Sequence, residues 1–122
     1  MSKTIMIVDD SASLRQVVRI ALRGAGFEVI EACDGQEALE HLDGKKIHLV
    51  ISDVNMPRMD GISFVKAAKQ IPAYKFTPVV MLTTESSDSS KEKGRAAGAK
   101  AWVNKPFQPA QMLSVVSRLV TP

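Results

Sequence analysis

Five short apolar runs, at residues 5–8, 27–32, 47–51, 79–82 and 101–103, recur along the chain with helix-patterned segments between them. Each run has strand length, and a strand–helix alternation has few folded solutions. Parallel strands need a crossover, the crossover is right-handed, and its helices must cover both faces of the sheet. The expected fold is therefore α/β: a doubly wound, five-stranded parallel sheet flanked by five helices.

The helical segments carry their own signals. Leu14, Val17, Val18, Ala21, Leu22 and Ala25 share one face of the first, while Arg15, Arg19 and Arg23 line the other, which reads as a solvated surface rather than a binding one. Gly24-Ala25-Gly26 closes that helix as a C-cap turn. Asp34 with Glu37 forms a capping-box pattern, Gly61 opens a helix over 62–70, and Pro109 suits the first turn ahead of Met112, Val115, Val116 and Leu119. The segment 86–97 is the weakest helix, because Gly94 interrupts it and apolar positions are sparse.

Runs one, three and four are continuously apolar and belong in the sheet interior; run two interleaves Glu28 and Glu31, and run five has only three residues, so both read as edges. Those edges are compatible with the strand order 2-1-3-4-5. That order has a switch point between strands 1 and 3, and ligands of open α/β sheets bind outside the carboxyl ends of strands at such a point.

A chain of 122 residues with 45% hydrophobic content reads as one domain, residues 1–122, with no room for a second. Its net charge of +3 comes from scattered cations, which points to neither nucleic acid nor anionic lipid as partner. Cys33 has no second cysteine to pair with, and neither a leader nor an 18-residue apolar stretch is present, so the expectation is a reducing, cytoplasmic location without membrane insertion; a monomer is expected separately.

The chemistry sits after the strands. Asp9 and Asp10 follow the first, Asp53 the third, Thr83 and Thr84 the fourth, and Lys105-Pro106 the fifth. Each alone has a structural explanation, since Asp favours turns and helix starts, and Thr and Lys are ordinary at strand ends. Together they occupy one rim. Three carboxylates held close repel one another, and keeping them ionised calls for a cation. Mg²⁺ fits an oxygen set of Asp10, Asp53 and a backbone carbonyl, whereas His41, His48 and Cys33 do not converge as zinc ligands would. With Mg²⁺ and Lys105 the three negative charges of Asp9, Asp10 and Asp53 are balanced, and the site is suited to a phosphoryl group. Asp53, at the end of the central strand, is the natural carboxylate nucleophile, with Thr83 placed to donate its hydroxyl.

The ordered set Val8-Asp9-Asp10, Ile51-Ser52-Asp53-Val54-Asn55-Met56-Pro57-Arg58-Met59-Asp60-Gly61, Leu82-Thr83 and Val103-Asn104-Lys105-Pro106-Phe107 resembles the receiver domains of two-component response regulators, most closely the single-domain chemotaxis regulators of CheY type. The likeness runs nearly end to end and implies the flavodoxin-like, CheY-like fold. By position, it implies that Asp53 is phosphorylated by a histidine kinase of CheA type. It further implies that Asp9 and Asp10 serve Mg²⁺, the Asn55 carbonyl completes the coordination, and Lys105 pairs with the phosphate. Pro106 matches the family's cis proline, Thr83 its switch hydroxyl and Trp102 its rotating aromatic. Asn55 and Glu85 stand where dephosphorylation is tuned.

The implied output is a change in the face formed by segment 86–97, the fifth strand and the last helix. Its target would be the flagellar switch or another chemosensory component. Segment 86–91 lacks the basic pair found in motor-binding members, which leaves the target open. With one helix after Lys105 and no DNA-binding segment, the signal is expected to leave by noncovalent contact. A phosphate sink or relay is the nearest alternative. A phosphohydrolase of the haloacid dehalogenase type would need an acid two residues after the nucleophile, where Asn55 stands. A constitutive interaction module would not need the acceptor set.

Overall fold

The computed structural model describes residues 3–83 and 98–120. The elements run β1 (Thr4–Val8), α1 (Ala12–Gly24), β2 (Glu28–Ala32), α2 (Gly35–Glu40), β3 (Leu49–Asp53), α3 (Gly61–Lys69), a single 3₁₀ turn (Pro72–Tyr74), β4 (Val79–Thr83), β5 (Ala101–Asn104) and α4 (Pro109–Leu119). All strand pairs are parallel and their order is β2-β1-β3-β4-β5. Four α-helices lie among the described residues; the helix expected over 86–97 falls outside them.

The continuous apolar runs follow from a sheet covered on both faces. In β1, Ile5 and Ile7 face one layer and Met6 and Val8 the other, and all four are fully buried. Ile5, Ile7, Leu49, Ile51, Val80 and Leu82 pack with Val18 and Leu22 of α1 and Met112 and Val116 of α4. On the opposite face Met6, Val8, Val50 and Met81 meet Ala38 of α2 and Phe64, Val65 and Ala68 of α3. Each such aliphatic side chain contributes roughly 1.5–3 kcal/mol of transfer free energy, so this double layer fixes the register.

Local signals set the element ends. Asp34 caps α2 by accepting from the Glu37 amide at 2.8 Å, while the Glu37 carboxylate accepts from the Cys33 amide at 2.8 Å. Asp60 caps α3 through the Ser63 amide at 2.7 Å. Gly26, just past α1, adopts φ 98°, a left-handed value that suits glycine.

Three expectations need correction. Val17, placed on the core face of α1 by its spacing, is 50% exposed, and Ile20 beside it is 62% exposed. The buried stripe is instead carried by Val18 and Leu22, with Leu14 and Ala25 packed beside them. The arginine stripe is not wholly solvated either. Arg15 Nε and Arg19 Nη1 hold the two Glu31 carboxylate oxygens at 3.2 and 2.6 Å, bracing α1 against the edge strand β2. Burial disfavours the Glu31 charge, but the hydrogen bonds from Arg19 and Arg15 outweigh it and hold the carboxyl below its usual range. The third strand also starts and ends two residues later than its apolar run, because the ladder continues through the polar Ser52 and Asp53.

Candidate functional site

Parallel strands deliver their carboxyl ends to one rim, and register aligns them there. Val8 lies opposite Ser52, Asp53 opposite Leu82, and Thr83 opposite Asn104. Asp9 follows β1 directly and is fully buried; Asp53 closes β3 and Thr83 closes β4, both buried; Lys105 follows β5. The fold thus brings together Asp9, Asp10, Asp53, Thr83 and Lys105 from four strand ends.

Asp9, Asp53 and Lys105 are anchored. The Ser11 amide donates to Asp9 Oδ1 at 2.8 Å, and Ser11 itself caps α1, so the helix start and the acid are fixed by one residue. Arg15 Nη1 donates to the Asp9 carbonyl at 2.5 Å. Lys105 Nζ donates to Asp9 Oδ2 at 2.9 Å and lies 3.2 Å from Asp53 Oδ2, bridging the two buried acids. Asp10 is exposed, yet one oxygen from each of Asp9, Asp10 and Asp53 falls within 4.8 Å of the others.

Three carboxylates against one ammonium leave the cluster with an excess of negative charge. Burial, then the charge of Asp9, push the Asp53 carboxyl up, and Lys105 only partly offsets them. Burial disfavours the Lys105 charge, but the hydrogen bond and charge of Asp9, followed by those of Asp53, prevail, so its ammonium is held above the usual lysine range. The donors are carboxylate oxygens, hard ligands suited to Mg²⁺ or a similar divalent cation and poorly suited to softer metals.

The loop behind Asp53 is tightly folded. The Val54 amide donates to the Leu82 carbonyl at 3.0 Å and the Gly61 amide to the Val54 carbonyl at 2.8 Å. A Cβ at Gly61 would stand 2.0 Å from the Asp53 carbonyl oxygen, so close approach of α3 to the end of β3 demands glycine. Asn55, two residues past Asp53, is exposed. The Lys105–Pro106 peptide bond is cis. Trp102 lies on β5 opposite Met81, partly buried against the α2/α3 layer. Glu85 and Thr84 lie outside the described residues.

Two residues of the rim's surroundings escaped sequence reasoning. Arg15 was placed on a solvated stripe, although it reaches both Glu31 and the Asp9 backbone. Arg58 stands in the 51–61 block with no role assigned by the sequence, although its φ of 62° and its ion pair with Asp34 make it unusual. Its signal was a long cation in a Pro-Arg-Met-Asp-Gly turn, where a smaller residue tolerates left-handed backbone more readily. Beside the rim, Leu14, Val17, Val18 and Phe107 line an apolar cleft of about 500 Å³ that also includes Lys105.

Residues 5–117 match the response regulator receiver domain family. The chain is 33% identical over 112 residues to protein PilG of Pseudomonas aeruginosa, an alignment covering 92% of this chain and 83% of PilG. It is 38% identical over 120 residues to the transcriptional regulatory protein PdtaR of Mycobacterium tuberculosis, covering 98% of this chain but only 57% of PdtaR. Among solved structures, the chemotaxis response regulator CheY4 of Vibrio cholerae is similar with a TM-score of 0.93 and 46% identity, covering 98% of this chain and 100% of that one.

Proposed function

Because this chain belongs to the response regulator receiver domain family, we propose that it is switched by transfer of a phosphoryl group from a histidine kinase to Asp53. The observation that carries the reading is the Lys105 ammonium spanning Asp9 and Asp53 at 2.9 and 3.2 Å, with Asp10 in the same carboxylate cluster. An aspartate used only as a turn or cap has no need of a part-buried cation and two further acids.

Asp9, Asp10 and Asp53, with the Asn55 carbonyl, would hold Mg²⁺. When bound, the ion supplies neutralisation of the acids and of phosphoryl oxygens. The chain's own groups do the rest. An Asp53 carboxylate oxygen attacks phosphorus as the phosphorus–nitrogen bond to the donor histidine breaks, giving an acyl phosphate. Lys105 stays protonated and gives up its contact with Asp53 for a phosphoryl oxygen, while keeping its bond to Asp9. Thr83, buried at the end of the adjacent strand, offers its hydroxyl to a second oxygen. Inward movement of Thr83 frees space for Trp102, and the surface around β5 and α4 changes its affinity for a protein target. The signal is a population shift whose size equals the difference in target affinity between the two states.

Likeness to a CheY4 chemotaxis regulator supports a chemosensory pathway, with a kinase of CheA type upstream and the flagellar switch among the downstream targets. A cytoplasmic setting suits such partners, and no helix among the described residues is long and apolar enough to cross a membrane. Asn55 and Glu85 are proposed to set the lifetime of the acyl phosphate.

The test is incubation with a small acyl phosphate donor and Mg²⁺, read by intact mass. The wild-type chain takes up one phosphoryl group and Asp53→Asn takes up none while keeping its circular dichroism spectrum. Labelling of Asp53→Asn at the wild-type rate overturns the assignment.

A further inference from the structure

The segment that joins Asp53 to α3 is stitched to a different part of the molecule, the start of α2. Arg58 Nε and Nη2 donate to the two Asp34 oxygens at 2.7 and 3.1 Å, a forked pair. Asp34 is buried, and the Arg58 hydrogen bond, with that of the Glu37 amide, holds its carboxyl down to about 2, so the pair stays ionised across the physiological range. A second stitch runs from the Gly35 amide to the Met59 carbonyl at 3.2 Å. A Cβ at Gly35 would come within 2.8 Å of the Met59 side chain, which shows how closely the two segments are pressed together.

Arg58 reaches Asp34 from φ 62°, a left-handed conformation that side-chain-bearing residues seldom adopt. Such backbone persists where surrounding contacts over-determine it, and it clusters at functional loops. The chain between Val54 and Met59 contains Asn55, while Val54 is already pinned to β4 and to Gly61. The Arg58–Asp34 pair and the Gly35 stitch therefore fasten the free side of the loop.

We propose that Arg58 is a positioning residue: gripping Asp34, it fixes the 54–60 loop and so sets the affinity with which the acidic cluster and Asn55 take up a divalent cation. The inference rests on the metal-binding reading above. Arg58 itself is 59% exposed at its side chain and touches none of the three acids. Its effect is indirect, like that of groups that orient a metal's ligands from behind.

The experiment titrates Mg²⁺ by calorimetry into wild type, Arg58→Ala, Arg58→Gly, Asp34→Asn and the double variant Arg58→Ala/Asp34→Asn, with thermal melts of each metal-free protein. Asp34→Asn keeps an oxygen for the Glu37 amide, so α2 remains capped. Either single loss is expected to weaken Mg²⁺ binding by about three- to tenfold, at or below the low end for removing a partner behind a metal ligand. The double variant should be no weaker than the worse single one, because both remove the same contact. Arg58→Gly separates positioning from folding: glycine relieves the left-handed backbone and should melt higher than Arg58→Ala, yet bind Mg²⁺ no better. Unchanged affinity in Arg58→Ala, additive losses in the double variant, or affinity regained in Arg58→Gly overturns the proposal. Absence of Mg²⁺ uptake by the wild type instead overturns the metal-binding reading on which it stands.

Discussion

The two ends of the sheet bury polar groups on opposite terms. At the amino ends of the strands, Tyr74 Oη donates to the Lys45 carbonyl at 2.8 Å and accepts from the Gly44 amide at 2.9 Å, and His48 Nδ1 accepts from the Thr4 amide at 3.0 Å. These are neutral bonds that close on themselves. At the carboxyl ends, Asp9 and Asp53 share one ammonium, Asp10 lies in the same carboxylate cluster, and the Asp53 charge is disfavoured where it sits. One end pairs its polar groups within the fold; the other leaves an excess of negative charge that proton or cation uptake would lower. A folded domain tolerates such an end because the apolar double layer between the two carries the stability.

The sharpest way to break that contrast is to attack the carboxyl end through packing rather than charge. Gly61→Ala places a methyl 2.0 Å from the Asp53 carbonyl oxygen, and backbone cannot yield as a side-chain tip does. It should cost on the order of 3 kcal/mol or more, measured by urea unfolding. A loss below about 1 kcal/mol would mean that α3 slides away freely and that the end of β3 is not held tightly against it.

At the other end, Tyr74→Phe removes one hydroxyl and leaves the Lys45 carbonyl and Gly44 amide without that partner. It should cost about 1–2 kcal/mol, since Gly44 and Lys45 are exposed and water can replace the hydroxyl in part. Phosphoryl uptake and Mg²⁺ affinity should not move. A change in either would show that the two ends are coupled, and the comparison would fail.

The same contrast explains what the sequence disclosed. The sheet was legible because burial on both faces turns strands into continuous apolar runs, and the rim was legible because parallel strands must end together. Strand β3 hid its last two residues, since Ser52 and Asp53 are polar members of a ladder that periodicity sees only as apolar. Val17 was misplaced because an apolar residue beside the core stripe obeys helical spacing as well as one within it. Arg15, Arg19 and Arg58 were illegible for a different reason. A long cation pairs according to what tertiary structure brings near it, and neither Glu31 nor Asp34 is close to them in the chain.

The smallest expected effect is the most discriminating, because the two ends should answer acid with opposite sign. Burial, then the nearby Lys3 and Lys46, lower the His48 pKa, so the folded state prefers the neutral ring. Its contribution is present above the unfolded value near 6.5 and is lost as pH falls toward the lower folded value. Asp53 is shifted the other way: in metal-free protein its raised carboxyl favours the protonated form, so its contribution is present below the unfolded value near 3.9 and lost as pH rises through the folded one. Asp53→Asn should therefore stabilise the metal-free protein at pH 7, on the order of 1 kcal/mol, and the gain should vanish in acid. His48→Gln should flatten the fall in stability below pH 6.5 and leave the carboxyl end untouched. Urea midpoints measured from pH 4 to pH 8 in the presence of a chelator read both slopes. If Asp53→Asn destabilises the metal-free protein at pH 7, the acids are mutually supported by Lys105 alone, and the carboxyl end has no unmet charge for a cation to relieve.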